Sequence, residues 1–194
     1  MKTTTTLLFA AAILCWSCNN EAKDSVEQAD SANEAKMDSA TDGAGQAAIV
    51  ADKETADFLV DAANGGMTEV KLGELAQQKA TNQKVKDFGS MMVHDHSAVN
   101  DEVKALASRR NVTLPTAVSD EKQKDIDNLS KKSGADFDKS YCKSMEDAHQ
   151  ATIDRFKKAA DKVNDAEVKT FINNTIPKVQ QHLDSIKAIR KSMK

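Results

Sequence analysis

Residues 85–106 read VKDFGSMMVHDHSAVNDEVKAL, and the apolar residues of this stretch recur every three or four positions. This spacing predicts an amphipathic α-helix that buries one stripe of side chains. His96 falls on the stripe, whereas His94 points about 200° away from it. A buried polar side chain is costly without a partner, so we expect His96 to bind another polar group or an ion. The stripe consists of Val85, Phe88, Met92, His96, Val99, Val103 and Leu106.

Two further histidines occupy equivalent positions in the second half of the chain. His149 lies on the apolar stripe of one predicted helix, and His182 lies on that of another. A fourth predicted helix carries Glu69, whose neighbours one turn away have no polar side chain. Four ionisable side chains therefore face the predicted core. The neighbours of Glu69 are Gly65, Gly66, Leu72 and Gly73, and these glycines suggest the close approach of another backbone.

The periodicity predicts an all-α domain with four main helices. Short links within each half make the first and second helices antiparallel, and likewise the third and fourth, as in a four-helix bundle. We predict that Asp52 caps the first helix, that Gly134 precedes the third, and that Asn164 with Glu167 opens the fourth, which Pro177 should kink. The main helices are predicted at about 53–79, 83–110, 135–162 and 165–194, with a short extra helix at 120–132.

Counting residues from the turns predicts that the buried polar residues share one layer. Glu69 lies 12 residues before a turn at residue 81, and His96 lies 15 residues after it. The two differ in height by about 4.5 Å, because a helix rises 1.5 Å per residue. His149 and His182 lie 15 residues before and 18 after a turn at residue 164. Both hairpins therefore carry their polar residues near mid-height.

The N-terminus has the features of an export signal. Lys2 precedes an apolar run over residues 7–14, which is too short to span a bilayer. Ser17 and Cys18 follow, and the segment resembles a lipoprotein signal, although Cys15 and Trp16 depart from the stricter pattern. We predict a signal peptide over 1–17 and acylation of Cys18, which would anchor the protein to a membrane of the cell envelope, either the outer membrane or one facing the periplasm. Ordinary signal-peptide cleavage or retention is the alternative.

Composition divides the rest of the chain in two. Residues 19–50 contain seven acidic residues against two lysines and no aromatic residue, so we predict a disordered tether over 18–50, in which the alanines allow some helix. Residues 51–194 contain 24 basic and 23 acidic residues. This balance gives no sign of nucleic-acid binding, and the length suits one domain with a single core.

Four separated segments resemble the bacterial envelope proteins grouped as domain of unknown function 4142. The likeness covers about residues 53–190. It implies a ferritin-like antiparallel four-helix bundle, and it implies no settled activity. The segments are Asn64-Gly65-Gly66-Met67-x-Glu69-Val70-x-Leu72-Gly73-x-Leu75-Ala76, Met91-Met92-Val93-x-Asp95-His96-Ser97, Met145-x-Asp147-x-His149 and Ile176-Pro177-x-Val179-x-x-His182-Leu183.

The ligand types favour a mononuclear metal site over a di-iron site. Ferritin-like di-iron sites use two Glu-x-x-His pairs, but this chain has one, Glu146 with His149. The residues three before His96 and His182 are valines. The three core histidines with Glu69 suit Zn²⁺, or Fe or Mn with added water, and Glu146 is a further candidate ligand.

The surroundings of these residues leave two alternatives open. We predict that the ligands are supported by Asp95, Met92 and Met145. The sulfur atoms of the two methionines, together with that of Cys142, would suit Cu(I), which is a less favoured ion. The second alternative is a metal-free polar core, in which Glu69 and Asp95 share protons with the three imidazoles.

The sequence contains no motif for catalysis. It has no phosphate-binding glycine loop, no nucleophile elbow and no paired Cys-x-x-Cys motifs, since the single Cys-x-x-Cys spacing, Cys15 to Cys18, falls at the predicted lipoprotein signal. One hypothesis is therefore a metal-binding protein of the envelope. The other is a structural or interaction lipoprotein that holds no metal and presents its bundle to an unidentified partner, in a stress-related role.

Overall fold

The computed structural model describes residues 23–41 and 51–193. These residues contain six α-helices and no strand, so the predicted all-α class is confirmed. Each predicted helix is present with bounds within about two residues of those expected from the sequence. The helices are α1 Ser25–Thr41, α2 Lys53–Lys79, α3 Gln83–Arg109, α4 Asp120–Ser130, α5 Gly134–Lys162 and α6 Ala166–Ser192.

Helix caps explain most of these bounds. The Asp52 carboxylate accepts a hydrogen bond from the amide of Thr55, as predicted for an N-cap. Gly134 has a φ of +58°, a backbone conformation that glycine adopts without strain. The predicted cap at Asn164 is wrong by one residue. Asp165 caps α6 instead, because its carboxylate accepts hydrogen bonds from two amides of the first turn.

The four long helices form a bundle in which all neighbours are antiparallel. Helix α2 packs against α3 and α5, and α6 packs against the same two. The Asp138 carboxylate, in the first turns of α5, accepts hydrogen bonds from the backbone amides of Thr81 and Asn82 in the α2–α3 turn. At the opposite end, the Arg110 guanidinium donates to the Asp165 carboxylate, with Nε 2.7 Å from Oδ2. The connection from α3 to α5, which includes α4, therefore runs the length of the bundle.

Helix α1 lies within the predicted acidic tether, in which the alanines allow some helix, and it packs against the loop that follows α3. Asn33 is 5% exposed and forms a pair of hydrogen bonds with the backbone of Thr113, at 2.9 and 2.7 Å. Lys36 donates to the Thr113 hydroxyl, and Ala29 is buried. The helix is held by a few specific contacts rather than by an apolar stripe, and such contacts leave no periodicity in the sequence. The remaining tether, Cys18 and the predicted signal peptide lie outside the described residues.

The core of the described residues consists of two large apolar clusters on either side of a polar layer, with a third, small cluster of Ile153, Val179 and Leu183. One cluster, near the α2–α3 turn, includes Phe88, Tyr141 and Met145. The other, near the α5–α6 turn, includes Phe58 and Phe156, whose rings pack edge to face at 5.1 Å. Among the described helices, none is long and apolar enough to cross a membrane.

Close backbone contact joins α2 and α3, but at one of the predicted glycines only. A Cβ built on Gly73 would lie 2.6 Å from the carbonyl oxygen of Gly89. At Gly66 the near neighbour is the side chain of Asn100, and a Cβ on Gly65 would meet no atom within 4 Å. The expected close approach is therefore wrong for Gly65, where the bundle leaves open space.

These environments predict opposite effects of one substitution at two positions. Gly73→Ala should lower the free energy of unfolding by about 2 kcal/mol, because the methyl group forces two backbones apart. Gly65→Ala should raise it by about 0.5–1 kcal/mol, because alanine favours the helix and finds space. Urea unfolding followed by circular dichroism measures both. Equal destabilisation by the two variants would contradict the described packing.

Candidate metal centre

Three imidazole rings meet at mid-height in the bundle. His96 comes from α3, His149 from α5 and His182 from α6, and they are 7%, 1% and 4% exposed. Their ring centroids are 5.4–5.9 Å apart. One nitrogen from each ring lies within 4.8 Å of the other two. The structure thus brings together the three histidines that the stripes placed in the core, whereas His94 is exposed.

The tautomer of His149 follows from its hydrogen bond. Its Nδ1 lies 2.8 Å from the carbonyl oxygen of Met145, one turn earlier in α5. A carbonyl oxygen can only accept, so Nδ1 carries the proton and donates. In the neutral ring, Nε2 is then left with a lone pair.

Asp95 fixes the orientation of His182 in the same way. His182 Nε2 lies 2.9 Å from Asp95 Oδ2, and the carboxylate accepts this hydrogen bond. The lone pair of neutral His182 is therefore on Nδ1. Asp95 also contacts exposed His94 through its other oxygen, at 2.8 Å. Metal-binding histidines commonly donate their second nitrogen to a carboxylate or a backbone carbonyl, as His182 and His149 do here.

Burial favours the neutral form of His96 and His182, which is the form that metals bind. Burial, reinforced by the nearby His149 and His182, lowers the pKa of His96 from 6.5 to about 3. Burial also lowers the pKa of His182, and the hydrogen bond to Asp95 offsets this only in part. Burial acts to raise the pKa of Asp95, but the hydrogen bonds from His94 and His182 outweigh it, so that pKa is lowered.

Three nitrogens of this cluster have no partner among the described residues. They are His96 Nε2, His149 Nε2 and His182 Nδ1, and all three are buried. When the His96 proton is on Nδ1, all three nitrogens are acceptors, and one water molecule, which has two hydrogens, can satisfy only two of them. A single cation can accept all three lone pairs. Bonds of about 2.0–2.1 Å would require the nitrogen separations to shorten by no more than about 1.5 Å.

The two glutamates predicted as ligands lie outside this group of three. Glu69 Oε1 is 3.9 Å from His149 Nδ1, the nitrogen that donates to Met145. Burial raises the pKa of Glu69, and its Oε2 has no partner among the described residues. Glu146 instead forms an ion pair with Arg190, with Oε2 3.0 Å from Nε. Its place on the edge of the stripe allowed it to reach this arginine near the end of α6.

The sulfur-containing residues pack as part of the apolar core. Met92 and Met145 are fully buried in the cluster that contains Phe88 and Tyr141, and Met145 contacts His149 through its carbonyl oxygen. Burial raises the pKa of the Cys142 thiol to about 11, so it stays protonated at neutral pH and is a poor ligand in this state.

A narrow cavity of about 40 Å³ extends to Glu69 and His96. Sequence reasoning missed it, although Gly65 and Gly66, which line it, were the available signal. Asp61 and Arg155, both exposed, also line the cavity and were not singled out from the sequence. The apolar walls include Phe58, Ala62, Val99 and Phe156.

Comparison with models of known protein families identifies the family of this chain. A family model described as a domain of unknown function, DUF4142, matches residues 38–189. The chain belongs to this family. The match confirms the resemblance seen in the four sequence segments, and it extends over all four helices of the bundle. No match was found among curated proteins or among solved structures.

The buried state of His96 in this DUF4142 domain predicts a pH dependence of stability. Without metal, the unfolded chain takes up a proton on His96 as the pH falls below 6.5, whereas the folded chain does so only near pH 3. Stability should therefore fall as the pH is lowered through this range, by about 2 kcal/mol from His96 alone between pH 7 and pH 5. Urea unfolding in a chelator at both pH values measures the loss.

Two variants isolate this contribution. His96→Gln should reduce the difference in stability between the two pH values, because it removes the titrating ring. His94→Gln, which alters an exposed ring two residues away, should leave the difference nearly unchanged. If the free energy of unfolding of His96→Gln depends on pH as strongly as that of the unsubstituted protein, the interpretation is contradicted.

Proposed function

We propose that this protein binds one divalent transition-metal ion through His96, His149 and His182. The observation that carries the proposal is the meeting of three buried imidazoles, each of which has one ring nitrogen without a partner among the described residues. Zn²⁺ suits three nitrogen ligands with a further position for water, and Fe²⁺ or Mn²⁺ would need additional water ligands.

The orientation of the rings supports this assignment. His149 and His182 each use the nitrogen that faces away from the cluster to donate a hydrogen bond, to Met145 and Asp95 respectively. These outer contacts hold both rings before an ion arrives, which lowers the cost of ordering the site on binding. A dinuclear centre is not supported, because Glu146 is paired with Arg190.

We further propose that the protein is exported and anchored in the cell envelope through an acylated Cys18. The support comes from the sequence, in which Lys2, the apolar run at 7–14 and Ser17-Cys18 form a lipoprotein-like signal. The anchored protein would carry its metal site in a bundle held near the membrane surface.

Measurement of the metal content of protein purified without a tag tests the proposed metal centre. We expect about one metal ion per chain, and loss of most of it in His96→Ala, His149→Ala and His182→Ala. His94→Ala is the matched control, because its ring is exposed and lies outside the cluster. Elemental analysis after dialysis against Zn²⁺, Fe²⁺ or Mn²⁺ gives the stoichiometry and the preferred ion.

Two results would reject the metal centre. One is the absence of bound metal, and the other is equal binding by the cluster variants and His94→Ala. Either result would favour the second candidate, a structural lipoprotein with a polar core. In that case His182→Ala should lower thermal stability equally with and without a chelator.

Fatty-acid labelling in cells tests the anchor. Labelled palmitate should be incorporated into the unsubstituted protein and not into Cys18→Ala, because acylation requires the Cys18 thiol. Cys142→Ala is the matched control, because it removes a cysteine outside the signal and keeps Cys18. Labelling of Cys18→Ala, or no labelling of the unsubstituted protein, would contradict the proposal.

A further inference from the structure

We propose that the metal centre keeps an open coordination position, facing the cavity, that takes a small monoanion such as hydroxide or azide. This inference rests on the proposed metal site and deepens it, because it names the class of ligand that the bound ion would accept.

The arrangement of helices leaves one side of the cluster without a protein ligand. Helices α3, α5 and α6 each supply one histidine, whereas α2 supplies none to the group. In the same layer, α2 presents Glu69 together with Gly65 and Gly66, and these three residues line the cavity that reaches His96. The side of the cluster that faces α2 is therefore the side with space.

The size of the cavity limits what can enter. A volume of about 40 Å³ admits a few small atoms, since one water molecule needs about 10–15 Å³ on this measure. The walls are mostly apolar and include Phe58, Val99 and Phe156. A ligand must therefore be short. Its polar contacts in the cavity would come from the metal ion and from the polar lining residues, which are Asp61, Glu69, Thr152, Arg155 and Thr175.

The charge balance favours a monoanion. Three neutral imidazoles leave the full double charge on the ion, and a Glu69 carboxylate would neutralise one unit of it. Charge buried in a low-dielectric interior is costly unless it is paired, so one further negative charge stabilises the site. The buried Glu69 Oε2, which has no partner in the described part of the chain, can accept a hydrogen bond from hydroxide in the cavity, whereas azide, which carries no hydrogen, would bind through the ion alone.

Cobalt substitution with azide titration tests this proposal. The full chain is loaded with Co²⁺, whose visible absorption reports the ligands around the ion, and azide is then added. Azide should change the spectrum saturably in the unsubstituted protein. Gly65→Leu should reduce azide affinity by at least tenfold, because a side chain at this cavity-lining position has space to occupy the cavity or its mouth. Gly65→Ala is the matched control and should respond as the unsubstituted protein does.

The outcomes separate this inference from the proposed metal site. Failure of the unsubstituted protein to bind Co²⁺ would reject the metal site and the open position together. Binding of Co²⁺ with no azide response, or with the same azide affinity in Gly65→Leu, would reject the open position alone. Circular dichroism verifies folding, and Ala62→Leu, another substitution in the cavity wall, provides the same test if Gly65→Leu does not fold.

Discussion

The burial of three imidazoles at one height is the constraint on which the rest of this structure depends. Each ring brings polar nitrogens into an interior that is apolar both above and below it. A buried acceptor without a partner costs about 1–3 kcal/mol, which is a large share of the stability of a small domain. The bundle must therefore hold the rings in a geometry where partners can reach them. Met145 and Asp95 meet part of this need by accepting hydrogen bonds from the outward nitrogens of His149 and His182.

The register of the helices holds the layer together. A shift by one residue turns a helix by about 100° and would move a histidine out of the core. The contact of Gly73 with Gly89 sets the distance between α2 and α3, and the hydrogen bonds of Asp138 hold the start of α5 against the α2–α3 turn. At the other end, the Arg110–Asp165 pair joins α3 to α6. These contacts lie far from the histidines along the bundle, yet they determine how the three rings meet.

Periodicity explains why much of the fold was predictable. A stripe of apolar residues identifies the buried face of a helix, and the lengths of the two hairpins place Glu69, His96, His149 and His182 near mid-height without any coordinates. The direction in which each side chain of that layer points, and the partner that it contacts, do not follow from the spacing of residues in the sequence. Glu146 shares a turn of α5 with His149, but Arg190 draws it away from the cluster. The docking of helix α1 on the bundle was not predictable for a related reason, because it rests on a few contacts such as those of Asn33 rather than on a repeated pattern.

The polar layer can be a metal-free core or a metal centre, and these two interpretations differ in the number of hydrogen-bond donors that they require. In a metal-free polar core, every inward acceptor needs a donor from the protein or from water. His149 and His182 direct their N–H groups outward, so each faces the cluster with a lone pair. If His96 Nε2 carried a proton, it could donate to one of these two acceptors, and the other would remain unpaired. Glu69 lies beside Nδ1 of His149, on the side of that ring which already donates to Met145. The rings alone therefore leave at least one inward acceptor without a donor. A water molecule can supply that donor in a metal-free core, whereas a cation accepts all three lone pairs at once when the His96 proton is on Nδ1.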